Sequence, residues 1–192
     1  MDTLLLNADG NPISLLPLST LNWQTAIRLM FLDKVVPIKF YDDWVVRSPT
    51  KEMNVPSVVM TKKYVKSPKF VPFTRQNVYL RDEFTCQLQI TSVCARSHGK
   101  GHSTDDLTLD HVHPKSFGGK QSWNNIITAC AECNSHKGNR VIIPKTTARM
   151  PTYYDLAEKR KKTPLFIADK AWMDYLGWDE SLVYLKPRKN LT

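Results

Sequence analysis

The hydrophobic positions of this 192-residue chain change rhythm twice, and the changes divide it into three zones. In the first, residues 1–74, Leu4-Leu5-Leu6 reads as a strand and Asp9-Gly10-Asn11-Pro12 as a turn. Ser19 or Thr20 offers an N-cap to a helix carrying Trp23, Ile27, Met30 and Phe31 on one face. Val35-Val36-Pro37-Ile38 and Trp44-Val45-Val46 read as further strands. Pro37 has no N–H to give to a ladder, which points to a sheet edge. Pro49, Pro56, Pro68 and Pro72 then punctuate a passage holding Lys62, Lys63, Lys66 and Lys69, a solvated loop or a track for a phosphate backbone. Together these predict a small α+β unit.

In the second zone, 75–143, Leu107, Leu109 and His111 alternate as in a short strand, which Pro114 ends. After the Gly118-Gly119 turn and Trp123-Asn124-Asn125, Ile126-Ile127-Thr128-Ala129 reads as a second strand. Glu132 to Lys137 reads as a short helix ending near Gly138. The third zone, 144–192, is predicted to be a helical accessory region. Thr163-Pro164 suits an N-cap and N1 pair, Gly177 suits the position after a last helical residue, and Leu165, Ala168, Trp172 and Leu176 form an apolar stripe for core packing. Lys159-Arg160-Lys161-Lys162 is a contact for DNA or a helix end facing water.

Charge adds a partner class. Lys and Arg number 27 against 18 acidic residues, a formal net charge of +9. Such an excess favours a polyanion, because each phosphate met by Lys or Arg releases condensed counterions; a basic protein that merely stays soluble is the alternative. No run of about 18 apolar residues suggests a membrane span. The N-terminus lacks the basic and apolar regions of a signal peptide. A cytoplasmic location is expected.

Cysteine sharpens the second zone, which holds all four cysteines and all five histidines. Cys130-Ala131-Glu132-Cys133 has the tight spacing with which two thiolates grip one tetrahedral ion. Cys86 and Cys94 form the remaining pair, with Gln89-Ile90-Thr91-Ser92-Val93 read as a lengthened loop between them. His98 and His102 compete for a ligand position and are preferred as exposed loop residues, since four thiolates already complete a closed site. A zinc held by four cysteines has no open position and serves structure. Strand, turn, strand and helix around one further ion make a ββα finger.

Arg81-Asp82-Glu83-Phe84-Thr85-Cys86, Leu109-Asp110-His111-Val112-His113-Pro114, Gly118-Gly119, Trp123-Asn124-Asn125, Cys130-Ala131-Glu132-Cys133-Asn134 and Lys137-Gly138-Asn139-Arg140 together resemble the HNH endonuclease family in order and spacing. Pro72 to Val78, with parts of residues 1–71, is similar to the N-terminal extension of a bacterial and phage subgroup, which would make the cytoplasm that of a bacterial cell or a phage-infected host. The fold class implied is α+β: a ββα-metal nuclease core with a zinc knuckle, an N-terminal α+β extension and a helical C-terminal extension.

The resemblance implies roles. His111 would be the general base, its imidazole able to take a proton from water near neutral pH. Asp110 would be a ligand for Mg2+ or Mn2+, and Asn134, where the family has its last His or Asn, a second oxygen ligand. Asn125 would hold the loop and orient the base. Lys137, Arg140 and Lys115 are candidates for contact with DNA phosphates. His136 lies two residues beyond Asn134, about 200° around a helix, and is expected to be a bystander. His113 shares a strand face with His111 and either touches substrate or packs structurally. The function implied is a metal-dependent DNA endonuclease. A non-catalytic zinc DNA-binding module is the alternative, and a protein merely stapled by zinc a third reading.

Overall fold

The computed structural model describes residues 2–66 and 69–186. In chain order its elements are β1 (Asp2–Leu6), β2 (Thr20–Asn22), α1 (Trp23–Phe31), β3 (Val35–Arg47), β4 (Glu52–Thr61), α2 (Arg75–Arg81), α3 (Ser92–Arg96), β5 (Leu107–His111), β6 (Ile126–Cys130), α4 (Ala131–Lys137), α5 (Tyr153–Lys161), β7 (Leu165–Ile167), α6 (Met173–Leu176) and β8 (Val183–Leu185). No helix among the described residues is long and apolar enough to cross a membrane.

Two compact units divide the chain, one of Met1–Lys69 with Arg160–Thr192, the other of Phe70–Lys159. The zones read from the sequence are therefore redrawn. The boundary placed after residue 74 falls after 69, and the C-terminal zone is not a unit. Its residues 144–159 belong with the second unit and the rest with the first.

The first unit is built on a four-stranded sheet in the order β2-β1-β4-β3, with β1 parallel to β4 and the other pairs antiparallel. Leu4-Leu5-Leu6 is continuously apolar because β1 is covered on both faces. Leu5 packs with Ala26, Leu29, Met30 and Val59 under α1. Leu4, Leu6 and Val58 pack on the other side with Leu165, Ile167, Trp172, Leu176 and Trp178. The Trp172 indole donates to the Ser57 carbonyl at 3.0 Å, which satisfies its only polar atom inside that core.

Several expectations are corrected here. The cap of α1 is Asn22, whose side chain accepts from the Thr25 amide at 2.8 Å, while Thr20 lies in a strand. Ala26 is the buried centre of the helix, and Phe31 is exposed with the Lys51 ammonium over its ring. The two strands expected at 35–38 and 44–46 are one strand at the sheet edge, interrupted by register shifts. The proline-punctuated passage holds β4, a central strand. Pro56 is tolerated there because it pairs with Phe40 where the ladder is already broken. The C-terminal extension is mixed rather than helical. Thr163-Pro164 precedes the strand β7, which pairs in parallel with β8. Leu165, Ala168, Trp172 and Leu176 do converge on one core, but from a strand, a turn and a helix. Gly177 ends α6 in the left-handed region as expected.

The second unit contains the β5–β6 antiparallel hairpin, with Asp110 opposite Ile127 and His111 opposite Ile126, followed directly by α4. A buried ion pair ties α2 to this hairpin. The Arg81 guanidinium makes two bonds to the Asp82 carboxylate, at 2.7 and 2.9 Å. It also donates to the carbonyls of Trp123 and Ile126. Asp82 in turn accepts from the Thr128 amide at 2.8 Å, so both charges are saturated.

Candidate functional site

The knuckle is assembled from three short pieces. Cys86 follows α2, Cys94 lies within α3, and Cys130 and Cys133 bracket the first turn of α4. All four thiols are buried, and their sulfurs lie within 4.8 Å of one another. The Cys94 and Cys130 sulfurs are 3.9 Å apart. A tetrahedral zinc with bonds of about 2.3 Å needs edges of roughly 3.8 Å. The stretch expected to be a lengthened loop instead ends in α3, which lifts Cys94 to the centre. Gly99 closes the turn behind it at φ +74, and any β-carbon there would lie 2.3 Å from the Cys86 carbonyl oxygen.

Burial opposes ionisation of Cys133, yet amide hydrogen bonds from Thr91 and Ile90, the Thr91 hydroxyl and Cys130 bring it down to about 7. Burial pushes Cys130 up to about 11 and raises Cys94 as well. A set of four crowded thiols with one stabilised anion is the donor chemistry of a structural zinc site. His102 approaches Cys94 at 3.5 Å from outside this set, and His98 sits in a turn with its carbonyl bonded by Gln89.

Cys130 does double duty. It ends β6 and caps α4, its sulfur accepting from the Cys133 amide at 3.4 Å. The helix thus starts at the knuckle and runs along β5, making two rungs to that strand. Thr108 and Asp110 share a strand face by the period of two, and Asn134 and Lys137, three apart, share a helix face. Asn134 donates from its amide nitrogen to the Thr108 hydroxyl at 3.0 Å. Lys137 donates to Asp110 Oδ1 at 3.1 Å and to the His111 carbonyl at 2.8 Å.

This second rung is deeply buried, with Lys137 1% and Asp110 6% exposed. Burial raises the Asp110 carboxyl above the ordinary carboxylate range, against the opposing pull of Lys137. Its second oxygen, Oδ2, is buried with no hydrogen-bond partner among the described residues. Buried polar atoms are rarely left so, and a carboxylate oxygen is a hard donor of the kind that divalent cations take.

The loop after β5 is fixed by Asn125. Its side-chain oxygen accepts from the His113 amide at 2.8 Å, and its nitrogen donates to the carbonyls of His113 and Lys120 at 3.1 and 2.9 Å. Its carbonyl accepts from Val112 at 2.8 Å. Gly119 allows the close return, since a β-carbon there would lie 1.8 Å from the His113 carbonyl oxygen. His111 is half-buried at the end of β5, immediately before this pinned segment.

Asp110 and His111 end β5, Asn125 lies in the loop before β6, and Asn134 stands on α4, which is bonded to β5 through Thr108 and Asp110. One charged candidate stands elsewhere than expected. Lys137, expected to reach a phosphate, points inward and pairs with Asp110. Arg140 is exposed, but its guanidinium caps the last carbonyls of α4, those of His136 and Lys137. Lys115 is exposed in the 3-10 turn after Pro114. His136 is exposed on α4, and the His113 ring bonds the Phe117 carbonyl at 2.9 Å, a contact within the loop. Thr108 and the inward Lys137 escaped the sequence reading. The spacing of Lys137 from Asn134, one helical turn, was the available signal.

Residues 3–69 match a family described as the HNH endonuclease-associated, N-terminal domain, and residues 94–145 match one described as HNH endonuclease. The first match ends at Lys69, where the first unit's leading segment also ends. The second covers the hairpin, α4 and three of the four cysteines. No curated protein and no solved structure matches the chain.

Proposed function

The chain belongs to the HNH endonuclease family, whose domains bind DNA in general, and from that premise we propose that it is a divalent-metal-dependent DNA endonuclease centred on Asp110, His111, Asn125 and Asn134. The observation that carries this reading is the orphaned, buried Asp110 Oδ2 on a strand face shared with the anchor of Asn134. One carboxylate oxygen and one amide oxygen are hard donors, which suits Mg2+ or Mn2+ and disfavours softer ions.

Asp110 Oδ2 and the amide oxygen of Asn134 would hold such an ion. When bound, the ion supplies charge neutralisation at the scissile phosphate and stabilises the departing oxygen. His111 takes the proton from the attacking water as its oxygen bonds to phosphorus and the P–O3′ bond breaks, giving a 5′-phosphate and a 3′-hydroxyl. Asn125 fixes the backbone just beyond His111, so the imidazole is aimed without rearrangement at the moment of reaction. Exposed Lys115 approaches the phosphate backbone, and Arg140 does so after giving up or sharing its helix cap. The knuckle holds zinc and takes no part in the chemistry.

The test is conversion of supercoiled plasmid to nicked or linear forms with Mg2+ or Mn2+. His111→Ala is expected to lower the rate by at least ~100-fold, the usual worth of a general base, with zinc content and melting temperature retained. Undiminished cleavage by a folded His111→Ala protein refutes the assignment. DNA binding without cleavage by the wild type would instead identify a zinc-stabilised binding module.

A further inference from the structure

Lys137 is an anomaly for a basic DNA-binding surface. It is the third-largest of the fully buried side chains and spends its charge inside the fold. Two acceptors hold its ammonium, Asp110 Oδ1 at 3.1 Å and the His111 carbonyl at 2.8 Å. A buried lysine is costly unless paired and fully hydrogen-bonded, and an apolar residue of similar volume would fill the space at lower cost. The pairing is also asymmetric. It saturates one oxygen of the carboxylate and leaves the other with no partner among the described residues.

We propose that Lys137 is a positioning residue that makes Asp110 a one-oxygen metal ligand and keeps metal binding weak and reversible. The inference rests on the endonuclease reading and extends it to the ligand chemistry of the same site. With Oδ1 engaged by the ammonium, the carboxylate cannot turn both oxygens on one cation, so only Oδ2 is offered. A fixed positive charge beside the ion also opposes its binding, because like charges repel strongly where water is excluded. The site then gathers its remaining ligands from water and substrate phosphate. The same ammonium ties the carboxylate to the His111 backbone, so ligand and base share one anchor. Position 137 achieves this because it lies one helical turn beyond Asn134, on the helix face that meets Thr108 and Asp110. Lys137 touches neither the ion nor the substrate in this scheme and acts through its two acceptors.

The experiment compares the zinc-loaded wild type with Lys137→Met, which keeps the length and removes the charge. Free Mn2+ is measured by electron paramagnetic resonance during titration at pH 8.5, alongside plasmid cleavage. The expected result is Mn2+ binding tighter by about tenfold or more together with a fall in kcat of about tenfold or more, since a looser carboxylate and base are less well placed. A merely structural lysine predicts the opposite for the metal, with affinity lost along with the fold. Unchanged or weaker Mn2+ binding by a folded Lys137→Met protein overturns the inference, as does unchanged kcat. Where Lys137→Met does not fold, Lys137→Gln takes its place under the same criteria. A wild type that binds no Mn2+ refutes the endonuclease reading and the inference with it, an outcome distinct from either of the others.

Discussion

Removing zinc should unfold the second unit, and the structure shows why the effect is large. Cys86, Cys94, Cys130 and Cys133 form the centre of that unit's apolar cluster, with Leu88, Ile127 and Ala129 packed around them. Binding of a structural zinc by four thiolates is worth roughly 10–16 kcal/mol at neutral pH. The net stability of a domain is about 5–15 kcal/mol, so the ion's contribution is as large as the whole margin. The helix it anchors has seven residues, α4, and helices this short do not persist alone. A strong zinc chelator should therefore abolish plasmid cleavage and erase the amide protection of β5, β6 and α4. The first unit has no cysteine and keeps its own cores around Val58, Val59 and Trp172, so its amides should stay protected. The assay is hydrogen exchange read by mass spectrometry before and after chelation, with zinc quantified on the same sample. A zinc-free protein that keeps protection in α4, or that cleaves DNA at the original rate, refutes the reasoning.

Two further outcomes are expected. Asp82→Asn leaves the Arg81 guanidinium buried without its countercharge and should destabilise the second unit by about 3–5 kcal/mol, seen as a lower denaturant midpoint; a change under about 1 kcal/mol, the worth of an exposed pair, would contradict the burial argument. Asp110 should also set the pH dependence of metal binding. Burial raises its folded-state pKa, so the carboxyl takes a proton as pH falls through a value above the ordinary range, and proton and metal compete for Oδ2. Mn2+ affinity should therefore weaken at a higher pH than the titration of ordinary carboxylates, near about pH 4, would produce; a pH profile matching that of an ordinary carboxylate would show that Asp110 is not the ligand.

The second unit was more legible in sequence than the first, for physical reasons. Chemistry constrains spacing. Two thiolates on one ion need the interval between Cys130 and Cys133, and a hairpin that returns tightly needs Gly118-Gly119, so these positions announce themselves. The first unit is held by burial alone, which many residue orders satisfy. β4 was hidden because Pro56 breaks the pattern of a central strand, and only the register shift opposite it in β3 makes the proline tolerable. The C-terminal stripe of Leu165, Ala168, Trp172 and Leu176 fits a helical period, yet a core accepts the same side chains from a strand, a turn and a single helical turn. Lys137 was misjudged for a different reason. Lysine in a basic protein belongs at the surface by composition, and only the inward face of α4 reveals its partner.

That inward face explains why the four-cysteine cluster lies so near the proposed chemistry. Cys130, Cys133, Asn134 and Lys137 occupy one short helix or its cap, so an ion held by the first two would fix the rotation and height of the others. On β5 the matching residues are Thr108 and Asp110, and register with β6 ties that strand back to Cys130 opposite Leu107. The loop is closed covalently and by hydrogen bonds: knuckle to helix, helix to strand through two rungs, strand to strand, and strand to knuckle. Side chains on a free seven-residue helix would wander by more than the fraction of an ångström that metal ligation and in-line attack tolerate. Zinc held at the helix N-terminus would remove that freedom from one end, as the Lys137 pair does at its last turn. On this argument the knuckle positions the proposed metal ligands through the helix they share, although an ion held by four thiolates has no open position for substrate.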